Sequence, residues 1–155
     1  MKFMKEYLII GIILILAIAL IYLASVKSEK RKISIINSQN QSVEIIAEMA
    51  DNPLTHMRGL MFRSHLPENE GILFVFNNSD YRSFWMVNMT IPLDAIFISE
   101  QGRIVDIQQM EPCRTIADYC RIYRSREKAK YVLEVNRGFS ERNGIRIGDR
   151  MVFER

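Results

Sequence analysis

Arg58 and Arg63 flank Gly59-Leu60-Met61-Phe62, and downstream the stretch Phe84-Trp85-Met86-Val87-Asn88-Met89-Thr90-Ile91-Pro92-Leu93-Asp94 carries the only tryptophan of the 155-residue chain. A guanidinium can grip a carboxylate or phosphate through two parallel hydrogen bonds. An indole offers a flat apolar face, and Asn88 and Asp94 supply an amide and a carboxylate. Arg58, Arg63, Trp85, Asn88 and Asp94 are therefore the candidate ligand-binding set. The competing reading is structural. Buried charges are normally paired, so either arginine is expected to meet an internal acid such as Asp94 or Glu70. Asn88 to Pro92 then reads as the bend between two core strands, with Asp94 as the buried acceptor that braces it.

Other chemistries find less support in residue type and spacing. The two histidines, His56 and His65, stand nine residues apart without an HExxH pattern, whereas a catalytic zinc wants three protein ligands. No GxSxG elbow is present, and no spacing among Glu68, Glu70, Asp94 and Asp106 certifies a carboxylate pair. No catalytic residue, metal site or cofactor is expected. Nine methionines raise copper(I), because thioethers suit that soft ion. Met57 and Met61 are four apart and Met86 and Met89 three apart, but methionine at such spacings is more often core filler. Cys113 and Cys120, seven apart in EPCRTIADYCRIY, fit neither CxxC redox chemistry nor a zinc knuckle. In an oxidising compartment they would close a disulfide over a long loop, and in a reducing one they would stay thiols.

These residues need elements to hold them. Tyr7 to Val26 is twenty residues without a charge, about 30 Å of helix. It is expected to be an uncleaved transmembrane anchor over residues 7–26, behind a tail at 1–6. Its apolar core is longer than the roughly 7 to 15 residues of a signal peptide. The expected location is the cell membrane, crossed once, with the following domain outside the cytoplasm. Residues 27–41 are expected to form a tether and first strand, and 42–155 a β-rich domain. Six basic and two acidic residues lie in 1–32, so the remainder, with 15 basic and 16 acidic, is nearly neutral. Such a balance gives no broad basic face for nucleic acid. One loop, 114–130, carries six basic against two acidic residues and is a candidate contact for an anionic lipid or polymer.

Period-two alternation over Ser42–Met49 marks a half-buried strand. Asp51-Asn52-Pro53 reads as a capped helix start, with the helix running to about Met61. Ile72–Phe76, Arg82–Val87, Leu93–Ser99, Ile104–Met110, Lys130–Val135 and Arg150–Phe153 read as further strands, and Phe139–Gly144 as a helical turn. About eight short strands predict an all-β, mostly antiparallel sandwich or barrel, jelly-roll-like, with one or two short helices behind the transmembrane helix.

Taken in order, Arg58-Gly59-Leu60-Met61-Phe62-Arg63 with Leu66-Pro67, Gly71-Ile72-Leu73-Phe74-Val75-Phe76, Phe84-Trp85-Met86-x-Asn88 and Ile91-Pro92-Leu93-Asp94 resemble the domain-of-unknown-function family 192. Pro112-Cys113, Cys120 and Tyr123 resemble that family's PC…C…Y segment. Tyr131-Val132-Leu133-Glu134-Val135-Asn136-x-Gly138 and Gly148-Asp149 resemble its ending. The resemblance implies an antiparallel jelly-roll sandwich, often behind a signal or anchor, and carries no established activity. Val87 and Met89 depart from the lysine and threonine usual in the family. The function expected is that of a membrane-tethered, non-catalytic envelope domain. It would bind a small ligand, glycan or partner protein in a groove beside the Arg58 helix and the Trp85 strand. The alternatives are an enzyme acting on an envelope carbohydrate or peptide, and a metal-handling or assembly protein using methionine or cysteine.

Overall fold

Leu93-Asp94-Ala95-Ile96-Phe97-Ile98 has one polar residue to offer solvent, and all six of its residues are buried. A strand of this composition must be covered on both faces, and the fold supplies a cover for each. The computed structural model describes residues 2–25, 28–113 and 119–154, and within the first helix the side chains of residues 7–18. In chain order the elements are α1 (Lys2–Ser25), β1 (Lys30–Ile36), β2 (Ser42–Ala50), α2 (Pro53–Arg58), β3 (Glu70–Asp80), β4 (Ser83–Phe84), β5 (Leu93–Ile98), β6 (Ile104–Met110), β7 (Tyr123–Arg124), β8 (Ala129–Asn136), α3 (Phe139–Arg142) and β9 (Arg150–Phe153).

One seven-stranded sheet runs β6-β5-β8-β3-β2-β1-β9, and β4 and β7 form a separate ribbon. Every pairing is antiparallel except β2 with β3, which run parallel and are joined through α2. The sheet curls until its two ends meet. Arg103 bridges Arg150, and the amides of Ile104 and Met151 donate to the carbonyls of Asp149 and Gly102, both at 2.8 Å. The concave side holds Ile33, Ile35, Ile45, Leu73, Ile96, Ile98, Leu133 and Val135, plugged by Phe139 of α3. The convex side of β3, β5 and β8 presents Phe74, Leu93, Phe97 and Val132, covered by Leu60, Leu66, Met86 and Met89.

The architecture is therefore a mostly β half-barrel made from one curled sheet with three helices, α1 at the N-terminus and the short α2 and α3 packed on the sheet. This corrects the all-β sandwich or barrel, jelly-roll-like and behind a transmembrane helix, that was expected from the sequence. Period-two alternation says that a face is buried but not whether a second sheet or a loop buries it. Among the described residues no helix is long and apolar enough to cross a membrane, which overturns the transmembrane helix expected over 7–26. Within that span the side chains of Tyr7 to Ile18 are described. Of the rest of that span, the side chains of residues 19–25 and all of Val26 lie outside what is described. The strand expected over Arg82–Val87 shrinks to Ser83–Phe84, because Val87 is already bridged to Cys113 and Asn88 turns to φ 59°.

Candidate functional site

Asn52 starts α2 by accepting the amides of Leu54 and Thr55 at 3.1 Å, while Thr55 Oγ1 accepts the Asn52 amide at 3.2 Å. This reciprocal cap, with Pro53 in the first turn, defines the N-terminus of a six-residue helix. The helix stops at Gly59, whose φ of +47° a glycine accepts at least cost, three residues before the end expected from sequence. His56 locks the helix to the sheet. Its Nε2 lies 2.9 Å from the Ala50 carbonyl and 3.2 Å from that of Val75. Two carbonyls can only accept, so Nε2 carries the proton.

The chain then turns at Phe62, a bulky residue at φ 63°, and its amide donates to the carbonyl of Asn88, itself at φ 59°. Two non-glycine residues in left-handed backbone, bonded to each other, are a local cost of the kind that concentrates at functional sites. The second turn is fixed from behind. Cys113 donates to the Met86 carbonyl at 2.9 Å and accepts from the Asn88 amide at 3.0 Å. Cys113 and Cys120 lie at disulfide distance, with Cα atoms 5.7 Å apart.

Between these turns lies a cavity of about 190 Å³, smaller than the roughly 300 to 1,000 Å³ of drug-sized pockets. Its walls are His56 to Met61 from α2 and its end, Phe74 and Phe76 from β3, and Ser83 to Val87 with Met89. Phe74 meets Phe84 edge-on at 5.0 Å, and Phe84 meets Phe97 at 6.1 Å, an aromatic ladder that fixes the ribbon over the sheet. Glu134 of β8 also lines the cavity and is only 4% exposed. Burial raises its carboxyl to about 8, so at neutral pH it is mostly protonated and can donate a hydrogen bond. Glu134 escaped sequence reasoning. One acid in Tyr131-Val132-Leu133-Glu134-Val135 looks like the wet face of a half-covered strand. The available signal was Val132, which shares that face and argues that it is covered.

Arg58 and Trp85 of the sequence-derived set line this cavity, and Trp85 is half exposed. The other three are not among the lining residues. Arg63 forms a two-pronged pair with Glu48 at 2.8 and 2.6 Å, a partner not foreseen. Asn88 shapes the turn through its backbone. Asp94, buried, accepts the amides of Gly138 and Ser140 at 3.0 Å each and so ties β5 to the start of α3. Among the described residues no group of three His, Cys, Asp or Glu side chains could hold a metal ion.

In the basic loop, Arg114 and Asp118 lie outside the described residues. Arg126 pairs with the fully buried Asp106 and Lys130 with Glu100 at 2.6 Å. Arg121 and Arg124 stack over Tyr123 and Tyr81 at 4.9 and 5.3 Å. Much of the loop's charge is thus spent on the protein itself.

The family model DUF192, described as an uncharacterized ACR, matches residues 34–153. The UPF0127 protein PF1050 of Pyrococcus furiosus is 27% identical over 124 residues, 76% of this chain and 95% of its own. The UPF0127 protein PH1112 of Pyrococcus horikoshii is 28% identical over 119 residues, 74% of this chain and 92% of its own. Among solved structures, a proposed transcription regulator from Sinorhizobium meliloti superposes with a TM-score of 0.76 at 31% identity, covering 83% of this chain and 97% of that one. A protein of unknown function from Novosphingobium aromaticivorans gives 0.73 at 29% identity, covering 80% and 85%.

Proposed function

We propose, from the premise that this chain belongs to the DUF192 family, that its β domain is a non-catalytic binding module taking a small ligand into the cavity between α2 and Ser83–Met89. One observation carries the reading. A buried Glu134 carboxyl, pushed up by its burial, lines an otherwise thioether- and aromatic-rich cavity whose rim is held in strained backbone. The thioether and aromatic walls favour a soft, polarizable ligand, and the carboxyl offers one polar contact to it. Half-exposed Trp85 extends the apolar surface at the mouth. The cysteine pair supports a compartment more oxidising than the cytosol.

A fragment screen read by the methionine methyl signals tests this. Hits should shift Met61, Met86 and Met89 together and change Trp85 fluorescence. Glu134→Leu should weaken them tenfold or more while keeping the fold, since leucine suits a buried apolar strand. A screen in which no fragment moves those methyls defeats the reading. The enzymatic alternative draws on the same carboxyl, because a group titrating near 8 can serve as a general acid. Glycoside turnover lost in Glu134→Gln with binding retained would select it.

A further inference from the structure

We infer that the cavity is a site for a single soft monovalent metal ion, copper(I) by chemical class, held by methionine thioethers and His56 beneath the Trp85 indole. The inference rests on the cavity being the ligand site and names the ligand. Met57, Met61, Met86 and Met89 all line it. The chain has nine methionines in 155 residues, so fifteen lining residues taken at random would include about one. Gap-filling explains scattered methionines; four from two segments around one small space, Met61, Met86 and Met89 packed in the convex face and Met57 at its exposed rim, is a different arrangement. Thioethers are poor ligands for zinc, magnesium or calcium and good ones for copper(I).

His56 supplies an independent observation. Its Nε2–H is committed to the backbone carbonyls of Ala50 and Val75, which leaves Nδ1 as the lone-pair nitrogen. Histidines that ligate metals typically have their second nitrogen donating in this way, which fixes tautomer and ring orientation. The ring is held further by Phe76, 4.7 Å away between centroids. A monovalent cation beneath an indole gains cation–π attraction, largest where water is excluded.

Silver(I), soft, monovalent and inert to redox change, is the probe, titrated into the full chain with the cysteine pair oxidised. One equivalent should shift the methyls of Met61, Met86 and Met89 and quench Trp85 emission, and zinc(II) should do neither. Met61→Leu/Met86→Leu, a volume-conserving change, should weaken silver at least tenfold with little change in melting temperature. His56→Phe should weaken it as well. Silver that binds equally well to the double variant, or leaves those methyls unmoved, overturns the proposal. Fragments that bind the cavity while silver does not would retain the ligand site and remove the metal. Silence from both would remove the two together.

Discussion

Glu134 alternates along β8 with Leu133 and Val135, whose side chains fill the concave core, so its own carboxyl points to the convex side beneath α2. Burial raises it from 4.5 to about 8. Below pH 4.5 the carboxyl is protonated in both folded and unfolded chains and costs nothing. Between pH 4.5 and 8 the unfolded chain loses the proton while the folded one keeps it, so stability falls as pH rises, and above 8 the loss levels off. A shift of this size is worth on the order of 5 kcal/mol. Denaturant unfolding at pH 5 and pH 8 should therefore show a clear decline for the native chain. Glu134→Gln, which cannot ionise, should flatten the decline, and parallel curves for the two proteins would place Glu134 in a wetter setting. A neighbouring glycine protects the same spot. Gly71 pairs with Val135, and a Cβ there would lie 2.5 Å from the Glu134 carbonyl oxygen. Gly71→Ala should cost about 1 to 3 kcal/mol and speed amide exchange along β8. The site was half legible at this scale. Arg58 and Trp85 stand out by type, whereas the one local sign for Glu134 is Val132 on the same face, and what covers that face lies far away in sequence.

Among the elements, the segment Met86–Met89 is the weakest wall of the cavity, because it belongs to no long strand. Its order comes from Cys113, bonded to Met86 and Asn88, and Cys113 is in turn constrained by Cys120. Removing the cross-link with Cys113→Ala/Cys120→Ala should cost about 2 to 3 kcal/mol for so short a loop. Hydrogen exchange should accelerate first at Asn88 and Cys113, with β5 unchanged, and fragment or silver affinity should fall more than global stability predicts. Uniform acceleration across the domain would show that the link serves the whole fold. Elements with a period of their own were readable from sequence. Ser42–Met49 alternates, and the cap at Asn52 with Pro53 announces α2. The two-residue ribbon β4–β7 has no period, and it exists because Phe84 and Tyr123 face each other across it. The parallel pairing of β2 with β3 was also illegible, since each strand's pattern is the same whichever way its neighbour runs.

At the scale of the molecule, the two faces of the sheet are two nearly separate structures that share β3, β5 and β8. The concave face closes the half-barrel where β9 returns to the start of β6, far in strand order from the cavity walls. Gly102 makes that closure. At φ +80°, a Cβ there would lie 2.7 Å from the Met151 carbonyl oxygen, while its own carbonyl accepts the Met151 amide at 2.8 Å. Gly102→Ala should push β9 away, cost about 1 to 3 kcal/mol and open the Ile104 and Met151 amides to exchange. The cavity should not notice. Fragment and silver affinities should stay within twofold of the native chain, because the convex face depends on α2, the Met86–Met89 segment and Cys113. If the faces are energetically independent, Gly102→Ala combined with Cys113→Ala/Cys120→Ala should lose the sum of the separate losses to within about 0.5 kcal/mol. A larger coupling would mean that closing the barrel and shaping the cavity are one event, transmitted through the shared strands, and ligand affinity would then depend on Gly102 as well.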